Sequence, residues 1–310
     1  MERLKNMPVP LLPTMVGAMT LSNVYSGLGY TAIRHITMCA GIIVLLLYIV
    51  KIIKFFPTVK EEYNNTVLAS LYAGFTMMMM LIGSYIFDFN AVIGKGIWFA
   101  ALILHTCHIL LFTYKNVIKK RDVNTFLPSW FVTYNGVMVS IVIGGVMNEA
   151  ALLTIYTYYG IVIYFVLICL LLVRLNKYEI KPNFMHTLAI VLAPCALCLV
   201  SYLNTAANPI AGLVYLLYAC VVASLVFIII KLPKFFSVPF APGFAGMTFP
   251  MAIGTVASSK MAAYLANAGN EGLSAAVAQL SGIQIYLTSM LVGYVLLNFI
   301  MMALKVKKAN

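Results

Sequence analysis

The chain has 310 residues, of which 63% are hydrophobic and only 9% charged, which excludes a soluble globular domain, about half apolar and a quarter charged. Its formal charge of +12 does not imply a nucleic-acid partner, because the basic residues are sorted by connection in the way of a membrane protein. Arg3 and Lys5, Lys51 to Lys60, Lys115 to Arg121, Arg174 to Lys181, Lys231 with Lys234, and Lys305, Lys307 and Lys308 fall on one side, and only Arg34, Lys95 and Lys260 on the other.

A crossing needs about 20 apolar residues, and ten such segments are predicted: 8–28, 35–55, 65–87, 91–114, 126–147, 150–173, 184–204, 208–230, 240–264 and 280–304. An even number of crossings with this charge asymmetry puts both termini in the cytoplasm and the chain in the cell membrane, with some affinity for anionic lipid. The start, MERLKNMPVPLLPTMVG, has the charges of a signal peptide, but three prolines break its apolar run, so it reads as a retained first helix. Residues 1–310 read as a single transmembrane domain.

Odd and even segments differ. The even ones are apolar all round, as in IIVLLLYIV (42–50) and IVIYFVLICLLLV (161–173), and suit a lipid-facing outer ring. The odd ones are rich in small and polar residues: TMVGAMTLSNVYSG (14–27), ASLYAGFTMMMM (69–80), VTYNGVMVSIVIGG (132–145) and LAPCALCLVSYL (192–203). They also hold Pro13, Pro128, Pro194 and Pro250, whereas the even ones hold only Pro209, at a start. Interrupted helices are tolerated where neighbours or a cavity satisfy the freed carbonyls. The odd segments begin 56 to 61 residues apart, so the chain is expected to be an all-α membrane protein of five helical hairpins with pseudo-fivefold symmetry.

All eight acidic residues, Glu2, Glu61, Glu62, Asp88, Asp122, Glu149, Glu179 and Glu271, fall in loops or at helix ends. Coupled transporters usually need an intramembrane ionisable group, so its lack argues for passive flow. His105, Cys107 and His108 lack a third ligand and a carboxylate, which predicts histidines bonded to backbone or neighbouring helices and not a metal site. His35 and His186 lie near helix ends and read as interfacial, and Cys195 and Cys198 as small packing residues. The Met run 77–80 reads as flexible packing. Phosphate loops, Ser-His-Asp sets and dinucleotide motifs are absent, so neither an enzyme nor a cofactor is expected.

The ninth segment, FAPGFAGMTFPMAIGTVASSK (240–260), carries Gly, Ala, Ser and Thr where a lipid-facing helix would carry Leu. Pro250 cannot donate to the carbonyl of Gly246, which predicts a kink there. At about 100° per residue, Ala245, Gly246, Ala252, Ile253 and Val256 share a face with Phe249, and Lys260 returns to within roughly 20° of it about 16 Å further on. Two readings of this face stand: a small-residue stripe for close helix packing with Phe249 as a core aromatic, or one bulky ring on the wall of a path. Lys260 is either a charge at the mouth of that path or an anchor at the membrane surface.

FAPGFAGMTFPMA resembles the ninth helix of the family that joins plant guard-cell slow anion channels, bacterial TehA tellurite-resistance proteins and yeast malate transporters. FLPSWFVTYNGVMVS (126–140) is similar to that family's fifth helix through Asn135 and Gly136, LAIVLAPCALCLVSYL (188–203) to its seventh through Ala193-Pro194, and MPVPLLPTMVGAMTL (7–21) to its first through Gly17. The third helix matches only loosely, and Phe244-Ala245 stand where plant members have paired Trp. The resemblance implies odd helices around one central pore per subunit, homotrimers, and a pore plug at Phe249. Expected around the pore are Gly17, Thr20, Gly74, Gly136, Pro194, Ala245, Ala252, Ile253 and Val256. The expected function is a gated passive channel for small monovalent anions such as chloride and nitrate, because a dianion crossing an apolar pore needs fixed positive charge at mid-depth and none is present. The alternative within the family is a carrier of C4-dicarboxylates such as malate, or of tellurite.

Overall fold

The computed structural model describes residues 2–305; Lys307 and Lys308 of the basic pattern lie outside them. Ten long helical stretches form, with no strand among the described residues. They are α1 (Leu11–Gly27), α2 (Thr31–Lys54), α3 (Thr66–Phe87), α4 (Ala91–Lys120), α5 (130–147), α6 (Ala150–Lys177), α7 (Phe184–Thr205), α8 (Ala211–Phe235), α9 (242–267) and α10 (Glu271–Lys305).

Local sequence sets the ends. Asn65 and Asn90 cap α3 and α4, their side chains accepting from Val67 N (3.0 Å) and Ile93 N (3.0 Å). The turns after α1 and α9 are built alike: Gly29 (φ 93°) and Gly269 (φ 76°) take the left-handed conformation. The next residue, Tyr30 or Asn270, donates back to the carbonyl of Tyr25 or Leu265. α10 begins nine residues earlier than hydropathy predicts, because EGLSAAVAQL is not apolar enough to mark a span yet is made of good helix formers. α8 runs past its expected end and takes Pro233 into its last turn.

The odd helices form a closed ring: α1 packs on α3, α3 on α5, α5 on α7, α7 on α9, and α9 on α1. Each even helix packs against the odd helix before it and the one after it, with α10 bridging α9 and α1. The hairpins are therefore related by a pseudo-fivefold axis. The apolar windows of α3 and α7 are 83% buried inside the protein, against 28–33% for the five even helices. Seven of the ten are long and apolar enough to cross a bilayer by themselves; α1, α5 and α9 are not. Those three are inner helices, so neighbouring helices and not lipid surround their Ser, Thr and backbone breaks.

α5 is broken into Trp130–Tyr134, Gly136–Met138, Val139–Val142 and Gly144–Met147. α7 and α9 change pitch, from 3-10 turns over Pro182–Val191 and Pro242–Met247 to α-helix at Leu192 and Thr248. Pro194 and Pro250 are each the third residue of the α-helical part, as Pro13 is in α1. The first four N–H groups of an α-helix have no partner within it, so a proline in that turn sacrifices no hydrogen bond. The kink expected at Pro250 is thus a change of helix type two residues before it, not a bend inside one continuous α-helix.

The basic end is tied by a buried ion pair. Lys51 of α2, fully buried, donates to Glu62 Oε1 (2.7 Å) and to the carbonyl of Met7 (2.8 Å). Glu62, in the short helix Phe56–Glu62, also accepts from the hydroxyl of Tyr72 in α3.

Glycines set the spacing of the inner ring. A Cβ on Gly17 would lie 2.7 Å from both Phe249 N and Thr248 C, and one on Gly74 would lie 2.9 Å from Pro13 N. Gly17→Ala is therefore expected to destabilise the protein by about 1–3 kcal/mol through overpacking, outweighing the roughly 1 kcal/mol of helix propensity gained. Gly282→Ala, whose Cβ would meet nothing within 4 Å, should be neutral or stabilising. Thermal unfolding of the two purified variants in one detergent checks this, and equal midpoints would show that α1 and α9 can separate without cost.

Candidate functional site

The C-terminal halves of α1, α3 and α5, with α9 from Phe249 onward, enclose a cavity of about 720 Å³. α9 supplies Phe249, Ile253, Val256 and Lys260 to its wall, a spacing of four, three and four residues that keeps one helix face on the cavity. α1 supplies Thr20, Asn23 and Val24, α3 Leu81 and Ser84, and α5 Val139, Val142 and Ile143. Arg34, from the start of α2, completes the mouth, where Leu28, Ser259 and Lys260 are exposed.

Phe249 lies on the wall of this cavity. It is 5% exposed and is the wall residue of α9 furthest from the mouth. Gly17 lets α1 lie directly against its backbone. Thr248 Oγ1 donates to the carbonyl of Ala245 (2.8 Å) and lies 3.4 Å from that of Pro13, tying the start of the α-helix to α1. The same cavity wall carries the aliphatic side chains of Leu81, Val139 and Ile253. No ring pair involves Phe249 among the described residues. Phe244, by contrast, is fully buried between His186 (centroids 4.0 Å), Phe240 (5.3 Å), Phe236 (5.5 Å) and Tyr294 (5.9 Å), an ordinary aromatic core.

Towards the mouth the wall becomes polar, with Asn23, Ser26, Ser84 and Ser259, and it includes no carboxylate. Its two cations differ. Arg34 is engaged, with Nη1 donating to Asp88 Oδ2 (2.6 Å) and Nε to Asn23 Oδ1 (2.9 Å). Lys260 has no ion pair among the described residues and is exposed, so its charge is not cancelled locally. The mouth thus combines an uncancelled positive charge with hydroxyl and amide groups, and the remaining wall is largely apolar.

Of the residues expected around the pore, the structure brings Thr20, Phe249, Ile253, Val256 and Lys260 to one cavity. The others lie in helix contacts. Gly17 faces the backbone of α9, Gly74 that of α1, and Gly136 faces the ring of His105 and the sulfur of Met77. Gly246 faces the carbonyl of His186 (2.9 Å from an added Cβ), Ala245 and Pro194 are buried, and Ala252 packs with Ala18, Leu21 and Val292 between α1 and α10. Pro250 follows Phe249 in the first turn of the α-helical part. Sequence reasoning missed Asn23, Ser26, Ser84, Ser259 and Arg34 as wall residues. The available signal was the concentration of small polar residues in the C-terminal halves of odd helices.

The histidines are engaged by protein groups. His105 pairs with Thr76 Oγ1 (2.6 Å) and the carbonyl of Thr133 (2.9 Å), and His108 with the hydroxyl of Tyr63 (2.8 Å). His186 is 3% exposed, bonded to the carbonyl of Phe235 (3.0 Å), and its ring lies 4.0 Å from that of Phe244. Cys195 and Cys198 are buried free thiols.

A search of curated proteins gives no match. Residues 9–303 match the voltage-dependent anion channel family SLAC1, which spans all ten helices described above, and the chain belongs to that family of anion-transporting helical membrane proteins.

Proposed function

We propose that the chain is a gated passive channel for small monovalent anions such as chloride and nitrate, closed by the ring of Phe249. The observation that carries this reading is a carboxylate-free cavity with an uncancelled Lys260 at its mouth and a single aromatic ring at its apolar inner end. No cation of the wall lies beside that ring, so an ion passing it must shed water without a compensating charge, and the cost grows with the square of the ionic charge. The second reading, a carrier of C4-dicarboxylates or tellurite, is favoured by the two cations at the mouth, Arg34 and Lys260. Bilayer recordings separate the two: a channel passes steady current without an imposed proton or sodium gradient, and a coupled carrier does not.

The working unit in this reading is a single transmembrane domain in a homotrimer, one pore per subunit, in the cell membrane. The basic end faces the cytoplasm and the Lys260 mouth faces outward. Two measurements test this part: light scattering in detergent should give three chains per particle, and a cysteine placed at Ser259 in a background lacking exposed cysteines should react with an impermeant maleimide from the outside only.

Lys260→Gln is expected to lower single-channel conductance at low salt and to matter little near 1 M, where the screening length falls from about 10 Å to about 3 Å. Unchanged conductance at low salt would make Lys260 a surface anchor.

Phe249→Ala should open the path and give large constitutive currents with normal expression. Its cost should fall below the roughly 3–5 kcal/mol of a core Phe truncation, because one side of the ring borders a cavity. Phe244→Ala should show that full cost and no current. Reversal potentials of the open variant should rank nitrate and iodide ahead of chloride, with sulfate last. A silent or unfolded Phe249→Ala would make the residue core and remove it as a gate.

A further inference from the structure

A second cavity lies at the opposite, basic end and carries a cation that the pore does not use. It has a volume of about 240 Å³ and lies where the end of α4, the end of α6 and the starts of α3 and α7 meet. Arg174 of α6 lines it and is only 5% exposed. Its Nη1 donates to the carbonyl of Tyr178 (3.1 Å), and its Nε is buried without any partner. No carboxylate lies within 4 Å of the guanidinium among the described residues, although Asp122 and Glu179 line the same cavity. Asp122 is turned to its own loop, where Oδ1 accepts from the backbone and side-chain nitrogens of Asn124 (3.0 and 3.1 Å). Two more cations line the space: Lys120, which donates to Thr66 Oγ1 (3.2 Å), and Lys181, which is exposed.

A buried guanidinium is stable only when its charge is paired and its N–H groups are bonded. Here no carboxylate pairs the charge, and protein bonds Nη1 while leaving Nε without a partner. The free Nε edge of a guanidinium matches two oxygens of a tetrahedral oxyanion, and flanking ammonium groups supply the remaining charge. The space, about 240 Å³, is below the roughly 300 Å³ where drug-sized pockets begin, so it suits a headgroup and not a larger ligand.

We propose that this cavity is a phosphate-binding site, with Arg174 as its buried ligand and Lys120 and Lys181 as its flanking cations, taking either free phosphate or the phosphomonoester headgroup of an anionic lipid. Occupancy would tie the basic ends of the second, third and fourth hairpins together, behind the inner helices α3 and α7.

The test reads thermal unfolding of the full chain in two series. In detergent, inorganic phosphate is titrated against sodium chloride of matched ionic strength. In nanodiscs, phosphatidylcholine is compared with phosphatidylcholine containing phosphatidic acid. The expected result is a saturable rise of the unfolding midpoint. Arg174→Gln should raise the half-saturating concentration roughly tenfold or more, as loss of a charge-assisted hydrogen bond implies. Lys181→Gln should weaken it in the same direction, and Lys54→Gln, exposed at the same end but outside the cavity, should leave it unchanged. A response to phosphate assigns the free anion, and a response to phosphatidic acid alone assigns the lipid. Should Arg174→Gln not fold, the double variant Lys120→Gln/Lys181→Gln is judged by the same criterion. No rise in either series, or equal weakening by Lys54→Gln, overturns the proposal.

Discussion

The backbone of Gly17 lies so close to the peptide joining Thr248 and Phe249 that one added carbon would sit 2.7 Å from each of two backbone atoms. In lipid there is little hydrophobic drive to bring helices together, because the surrounding chains are as apolar as the side chains. Association then depends on close packing and interhelical hydrogen bonds, and α1 meets α9 through such a close backbone contact, with Thr248 Oγ1 3.4 Å from the carbonyl of Pro13. Relaxing that contact would move the wall that carries Phe249, and through Pro13 and Gly74 it would also loosen α3. The size of the cavity and the seating of its terminal ring follow from one interhelical distance.

The same bilayer constraint explains how the inner ring carries so many polar groups. Thr14 and Thr255 return their hydroxyls to carbonyls four residues back in their own helices, both at 3.0 Å. Such bonds neutralise the hydroxyl locally and permit slight helix bending. Across α9 and α10, Ser259 pairs with Ser281 (2.7 Å), and Ser281 also donates to the carbonyl of Thr255 (3.3 Å). Helix pairs of this kind are held by short polar links on a small-residue surface, while the outer faces remain hydrocarbon.

Much of the architecture was legible in the residues. The contrast between IIVLLLYIV and TMVGAMTLSNVYSG is a contrast of solvents, lipid against protein, and a repeat of that contrast every 56 to 61 residues leads to hairpins in a ring. What hydropathy could not show was the exchange of α-helix for 3-10 turns before Leu192 and Thr248, since both helix types bury similar side chains. The hidden length of α10 has a different cause: alanine and glutamine favour helix without being apolar enough to mark a span. Placing Asn23, Ser84 and Arg34 on one cavity required three helices in register, which no single segment encodes. The roles of Gly17 and Gly74 needed the neighbour's backbone for the same reason, since a glycine in a sequence does not say what approaches it.

Ring closure has a consequence for how the protein is made. The helices that complete the ring, α9 and α10, reach α1 only after the intervening hairpins are in the membrane. α1, α5 and α9 are not long and apolar enough to cross a bilayer by themselves, and each packs against the even helix that follows it in the chain. The face of α1 that packs on α9 therefore has no partner until the ninth helix is made, and that helix both covers the face and brings the ring of Phe249. The growing chain never contains a closed ring without its Phe249.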